Sequence, residues 1–179
     1  MIRYPGPGGV APATRARPTI DTGSADRQDP HVERFVDVAP GIALWAEDIE
    51  PTGPHPAEPL LLVMGANSSG LVWPDSLVAQ LAEHHRVIRY DHRDTGRSTA
   101  TFEDAPYGIT DLAADAVAVL DAFDVPRAHV VGMSMGGYLV QLMLLDHPER
   151  VATATLFCTG PLPFAGPPPT PALPGPDQA

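Results

Sequence analysis

Residues 128–146 read AHVVGMSMGGYLVQLMLLD, and the class of fold can be predicted from them. Its β-branched opening is typical of a short buried strand and predicts one over residues 129–132. The apolar run behind it predicts a helix over residues 135–145. Because that run has almost no polar face, we expect the helix to lie buried against a sheet.

Between the predicted strand and helix, residues 132–136 read GMSMG, which matches the pattern G-x-S-x-G. Small residues on both sides of a serine allow the chain to turn sharply from strand to helix. The hydroxyl of Ser134 then projects above the edge of the sheet, where it can act as a nucleophile. The backbone N–H of Met135 is placed to stabilise an oxyanion. The alternative is an ordinary glycine-rich turn in which Ser134 only caps the helix.

Outside this motif, short apolar runs alternate with helical patterns, which is typical of βαβ units and a parallel sheet. The fold class is therefore α/β, a mostly parallel sheet flanked by helices. Thr110 is the predicted N-cap of the second helix. The predicted strands are 34–38, 42–46, 60–64, 86–90, 129–132 and 151–157, and the predicted helices are 74–83, 110–123 and 135–145.

A second candidate site feature follows the strand over residues 60–64. Residues 64–67 read MGAN, and Gly65 allows another part of the backbone to approach closely. In a strand–turn–helix site of this kind, the second oxyanion donor comes from such a loop. We therefore expect the backbone N–H of Ala66 to be that donor, whereas a plain glycine turn is the alternative.

Residues 91–98 read DHRDTGRS, and with the two motifs above they carry a family resemblance. Over roughly residues 33–165 the sequence resembles the α/β-hydrolase fold, and within it anthracycline methylesterases of the aclacinomycin methylesterase type. The resemblance implies a serine hydrolase that cleaves a carboxylic ester of a small apolar molecule through an acyl-enzyme on Ser134. It implies Ala66 and Met135 as oxyanion donors, and neither a cofactor nor a metal.

A serine nucleophile needs a histidine base and an acid that orients it, and in this fold both follow the serine in the chain. The one histidine after Ser134 is His147, at the far end of the predicted helix. Thirteen residues of helix place it roughly 20 Å away, which is beyond hydrogen-bond reach. His92 lies at the same sheet edge as Ser134, although the resemblance assigns it no role. His84, His85 and His129 are expected at the surface or in packing.

We therefore expect a chain that is truncated before the acid and the base, with three parts. Residues 1–30 form a disordered extension rich in Pro and Gly. Residues 31–160 form the front of an α/β-hydrolase domain, whose last strand is expected to be an exposed apolar edge. Residues 161–179 form a Pro-rich linker toward a missing cap. The alternative function is a catalytically inactive fragment, or one piece of a complementing pair.

Two further residue predictions concern the site's surroundings. Asp91 is expected to form an ion pair with Arg93 that shapes their loop, because buried carboxylates usually have a partner. Trp73 is expected to pack beneath the mouth of the site.

Composition excludes several classes of protein. The 179 residues carry a formal net charge of −11, which argues against a nucleic-acid partner. The single cysteine, Cys158, allows no internal disulfide. No apolar run is long enough for a membrane span, and the N-terminus lacks the apolar segment of a signal peptide, so we expect a cytoplasmic protein with no membrane partner. The oligomeric state stays open.

Overall fold

The computed structural model describes residues 31–54 and 57–162 of the chain. The predicted extension over residues 1–30 lies outside the described residues. The same holds for all but the first two residues of the predicted linker over 161–179.

The described residues contain six strands, three α-helices and two single 3-10 turns. The 3-10 turns are Gly70–Val72 and Pro148–Arg150. The strands are β1 (His31–Ala39), β2 (Ile42–Ile49), β3 (Ala57–Val63), β4 (His85–Tyr90), β5 (Ala128–Met133) and β6 (Val151–Phe157), and the helices are α1 (Asp75–Ala82), α2 (Ile109–Ala122) and α3 (Met135–Asp146).

All six strands form one sheet in the order β1-β2-β4-β3-β5-β6. β1 and β2 are an antiparallel hairpin, and Gly41 in its turn has a φ of 77°, which suits glycine. β2 is antiparallel to β4, and the remaining neighbours are parallel. The predicted α/β architecture is confirmed. Because parallel strands end at one edge, the residues that follow β3, β4 and β5 are brought together there.

The sheet is covered on both faces by different helices. One face packs with α2 and α3 around the large core cluster that includes Leu61, Ile88 and Val130. The other face packs with α1 and Trp73 around Leu60, Leu62 and Val87. The alternation of these residues along each strand follows from the two-residue period of β structure. The central strands are therefore buried on both sides, as their unbroken apolar runs predict.

Helix α2 begins at Ile109, so its N-cap lies two residues before the predicted one. Its N-cap is Gly108, and Thr110 already lies inside the first turn. The backbone N–H of Gly108 donates to the carboxylate of Asp111 at 2.7 Å. This bond from the third helical residue back to the cap fixes the start of the helix without a hydroxyl at the cap position. The prediction of Thr110 as N-cap was therefore wrong.

The expectation that α3 is buried holds for one face. Gly136, Leu139 and Met143 are buried, whereas Leu144 and Leu145 are 40% and 70% exposed. A single sheet covers only one side of a helix, so an apolar pattern all round does not ensure burial all round. Within the described part of the chain, no helix combines the length and apolar character needed to cross a membrane.

β6 is the last strand in the sheet order, and its residues from Thr153 to Phe157 are exposed. Leu156 and Phe157 are 42% and 48% exposed. The prediction of an exposed apolar edge is confirmed for the described residues. Unpaired strand edges of this composition are templates for association with other strands.

Candidate active site

The turn between β5 and α3 consists of one residue, Ser134. Its φ of 54° and ψ of −118° lie outside every region that an ordinary side chain favours. A main-chain hydrogen bond ties the turn to β6, because the N–H of Ser134 donates to the carbonyl of Phe157 at 2.9 Å. A non-glycine residue in such a conformation costs on the order of 1–3 kcal/mol. The surrounding structure therefore imposes the position of this serine.

The two glycines of the motif are required by close backbone packing around that turn. A Cβ atom on Gly132 would lie 2.5 Å from the carbonyl oxygen of Gly136. A Cβ atom on Gly136 would overlap the carbonyl oxygen of Val63 at the end of β3. Helix α3 thus starts directly against β3 and β5, and this closeness explains the spacing of the motif.

The hydroxyl of Ser134 is presented at the surface of this edge and does not cap the helix. Ser134 is exposed, and its side chain makes no capping hydrogen bond to α3. Ser134 therefore occupies the N-cap position of α3 without capping it through its side chain. The first N–H groups of a helix have no acceptor within it, and their dipoles favour negative charge. The N–H of Met135 is one of these groups.

The loop after β3 lies against Ser134. A Cβ atom on Gly65 would be 3.2 Å from the Cβ and 3.7 Å from the Oγ of Ser134. Ala66 follows Gly65 directly, so the structure brings all three predicted site residues, Ser134, Met135 and Ala66, to one edge of the sheet. A Cβ atom at position 65 would make a tight contact with the serine side chain, so glycine suits this close approach.

Asp91 and Arg93 do not form the predicted ion pair. The buried carboxylate of Asp91 accepts hydrogen bonds from the Ser69 hydroxyl at 2.6 Å and from the N–H groups of Gly70 and Arg97 at 2.8 and 2.7 Å. Asp91 therefore joins two loops through hydrogen bonds.

The guanidinium of Arg93 points instead toward α2, where it meets the buried carboxylate of Asp115 through two bonds at 2.7 and 2.8 Å. The partner of Arg93 lies 22 residues away, and only the packing of α2 on the sheet brings it near. The sequence around residues 91–93 therefore could not predict this ion pair.

His92 is buried, and one of its two ring nitrogens is hydrogen-bonded. It is 1% exposed, its Nε2 lies 2.9 Å from the carbonyl oxygen of Met64, and its ring meets the ring of Tyr90 edge-on at 5.0 Å between centroids. Burial lowers the pKa of His92, and the hydrogen bond to Met64 opposes this only partly. His92 is therefore neither exposed at the site nor hydrogen-bonded to Ser134. Sequence reasoning placed it near the site but missed its bond to the Met64 carbonyl.

His147 is also remote from the serine. It follows the 12-residue helix α3, whose length at 1.5 Å per residue is about 18 Å. Among the described residues, no histidine or carboxylate hydrogen-bonds the hydroxyl of Ser134. Trp73 is buried in the cluster that contains Met64, so its ring packs under the loop and is not presented at the site.

The chain can be compared with known proteins on this basis. A family model described as alpha/beta hydrolase fold matches residues 58–176. The chain belongs to this family. It is 52% identical over 123 residues to rhodomycin D methylesterase DauP of Streptomyces sp. strain C5, and 51% identical over the same length to rhodomycin D methylesterase DnrP of Streptomyces peucetius. The predicted resemblance to anthracycline methylesterases is therefore confirmed.

Both methylesterase comparisons cover 68% of this chain and 40% of the relative. The chain thus spans about 40% of the length of the curated relatives it matches. Among solved structures, a hydrolase from Pseudomonas aeruginosa PA01 superposes with a TM-score of 0.63 at 31% identity, covering 71% of this chain and 46% of that one. The α/β hydrolase fold of the described residues is confirmed by this superposition.

Proposed function

We propose that the protein is an ester hydrolase in which Ser134 is the nucleophile. The observation that carries the proposal is the conformation of Ser134, with a φ of 54° and its side chain exposed beside Gly65. A strained turn that presents a hydroxyl at the N-terminus of a helix serves nucleophilic catalysis better than packing. Membership of the hydrolase family supports the same reading.

In the proposed reaction, the oxygen of Ser134 attacks the carbonyl carbon of an ester. A base supplied from outside the described residues takes the serine proton. The oxyanion that forms is held by the N–H groups of Ala66 and Met135. The bond to the alcohol then breaks, the proton passes to the departing alcohol, and an acyl group stays on Ser134. Water releases the acid by the reverse proton transfers.

The proposed substrate is a carboxylic ester of a small apolar molecule. The similarity to two rhodomycin D methylesterases supports this class, since the bond named there is a methyl ester. We propose no cofactor and no metal for the reaction, because the serine mechanism needs neither.

A second candidate is that the 179-residue chain is one piece of a complementing pair and is inactive alone. It is favoured by the absence of any histidine bonded to Ser134 among the described residues, together with the length of α3 that separates His147 from it. In this case the chain supplies the nucleophile and the oxyanion donors, and a partner polypeptide supplies the base and acid.

Hydrolysis of p-nitrophenyl acetate by the purified chain separates these candidates. The variant Ser134→Ala removes the proposed nucleophile, and Ser76→Ala, at an exposed position of α1, is the matched control. Turnover that is lost in Ser134→Ala and kept in Ser76→Ala supports the ester hydrolase. No turnover in any of them supports the complementing piece. Equal turnover in all three overturns the role of Ser134.

A further inference from the structure

The loop between β3 and the following 3-10 turn is held at both ends by two consecutive residues. At its far end, the carboxylate of Asp91 accepts hydrogen bonds from the hydroxyl of Ser69 at 2.6 Å and from the N–H of Gly70 at 2.8 Å. At its near end, the ring of His92 bonds the carbonyl of Met64 at 2.9 Å. Residues 65–68, which include both Gly65 and Ala66, lie between these two points.

We propose that His92 is a positioning residue that, through its bond to the Met64 carbonyl, holds the Ala66 N–H in place above Ser134. This inference rests on the proposed function, in which Ala66 is an oxyanion donor. His92 touches neither the substrate nor the serine, and it acts through the backbone of the loop. Asp91 supplies the second fixed point of the same loop.

The chemistry of the bond fixes the form of the ring. A carbonyl oxygen only accepts hydrogen bonds, so Nε2 of His92 must carry the proton. Nδ1 is buried and has no hydrogen-bond partner among the described residues. A charged ring would bury a second N–H donor without an acceptor, which is costly. His92 therefore stays neutral with its proton on Nε2, and burial lowers its pKa in agreement with this.

The position of the Met64 carbonyl matters because the space around it is small. A Cβ atom on Gly136 would lie 2.7 Å from this oxygen, so the carbonyl is packed between His92 and the first turn of α3. Gly65, the next residue, has only 3.2 Å between its Cβ position and the Cβ of Ser134. A rotation of the Met64 peptide therefore displaces Gly65 and Ala66 relative to the serine. A displacement of about 1 Å at a reacting centre is enough to cost roughly 100-fold in rate.

Three substitutions at position 92 separate positioning from packing. His92→Gln keeps a donor N–H at nearly the reach of Nε2. His92→Asn keeps an amide, but its shorter side chain cannot reach the Met64 carbonyl. His92→Leu removes the donor and keeps the apolar volume. The matched control is His129→Leu, at the opposite end of the parallel strands, where the Nδ1 bond to the Thr153 hydroxyl at 2.8 Å is lost instead.

Two measurements on the full chain follow from the proposal. Long-range ¹H–¹⁵N spectra report which ring nitrogen carries the proton, and ¹⁵N relaxation reports the mobility of residues 65–68. We expect His92 to be protonated at Nε2. We expect increased mobility of residues 65–68 in the Asn and Leu variants at position 92, and wild-type mobility in His92→Gln and His129→Leu.

The third measurement is the rate at which a fluorophosphonate probe modifies Ser134. We expect the Asn and Leu variants to react at least about tenfold more slowly than the wild type, and His92→Gln within about threefold of it. A ring protonated at Nδ1, or a His92→Gln variant that behaves like His92→Asn, overturns the positioning role. So does a loop that stays rigid in the Asn variant.

Failure of the proposed function is visible separately in these data. A wild-type chain that shows no modification of Ser134 argues against the nucleophile, whereas the spectra still decide whether His92 holds the loop. If His92→Leu does not fold, the pair His92→Gln and His92→Asn gives the same comparison, because both are polar and differ mainly in reach.

Discussion

Replacement of Ser134 by glycine should stabilise the protein relative to replacement by alanine. Glycine adopts the observed φ of 54° and ψ of −118° without steric conflict because it has no Cβ atom. Alanine has a Cβ atom and retains the conflict. Relief of a conformation of this kind contributes about 1–3 kcal/mol. Glycine also adds conformational freedom to the unfolded chain, which costs about 0.4–1 kcal/mol. The net expectation is that Ser134→Gly exceeds Ser134→Ala by about 0.5–2 kcal/mol in free energy of unfolding.

The assay is urea denaturation of the two variants and the wild type, followed by circular dichroism. With a slope of about 2 kcal/mol per M, the expected difference corresponds to a shift of roughly 0.3–1 M in the midpoint. Ser134→Ala should match the wild type within about 0.5 kcal/mol, since the exposed hydroxyl makes no capping bond. The comparison of glycine with alanine therefore isolates the backbone contribution.

A Ser134→Gly variant that is less stable than Ser134→Ala would contradict a strained backbone at this position. Glycine is preferred over alanine even at an unstrained helix N-cap, so a lower stability of Ser134→Gly would leave no contribution from relief of strain. That outcome would mean that the turn at Ser134 is relaxed in solution, and the structural argument for an imposed nucleophile would lose its basis.

Three further predictions concern packing, pH and association. Gly136→Ala should lower the free energy of unfolding by at least about 2 kcal/mol in urea denaturation, because the new Cβ overlaps the Val63 carbonyl. Burial lowers the pKa of His92 in the native state. Below about pH 6.5, where a histidine in the unfolded chain titrates, the unfolded state therefore binds a proton that the native state does not. The free energy of unfolding falls as the pH drops through this range. His92→Gln should therefore reduce the dependence of stability on pH between 7.5 and 5 by up to about 1.4 kcal/mol per pH unit. Leu156→Lys should reduce self-association measured by light scattering, because it places a charge on the exposed strand β6.

Each of these predictions has a control or a contradicting outcome. For packing, Gly108→Ala is matched to Gly136→Ala, because its Cβ meets nothing closer than 3.7 Å. Equal stability of the two variants would contradict the close contact at position 136. An unchanged pH slope in His92→Gln would mean that the ring takes up its proton in the native state. Scattering that is the same for Leu156→Lys and the wild type would exclude the β6 edge as the site of association.

The position of Ser134 could be predicted from the sequence because its determinants are local. The apolar runs before and after it specify a strand and a helix, and the flanking glycines specify a tight connection. The close backbone approach at Gly65 could be predicted in the same way, because this glycine directly follows the end of a predicted strand. The parallel sheet then places both at one edge, since successive strands end on the same side.

The contacts that hold this edge in place could not be predicted, because they depend on tertiary packing. Arg93 has an aspartate two residues away, yet its partner is Asp115 on α2, which only the packing of that helix reveals. The acceptor for His92 is the backbone carbonyl of Met64, and every residue of the chain carries such a carbonyl. A sequence carries no mark of which carbonyl a buried ring will find.

The site at which a fluorophosphonate probe modifies the chain tests the role of Ser134 directly. The hydroxyl of Ser134 is exposed at the N-terminus of α3, beside the proposed oxyanion donors, so we expect the probe to react there faster than at the other serines. Peptide mapping by mass spectrometry should locate the adduct on Ser134 in preference to every other serine, and Ser134→Ala should abolish it. Modification spread evenly over the serines, or unchanged in Ser134→Ala, would contradict the claim that this edge of the sheet is built around a nucleophile.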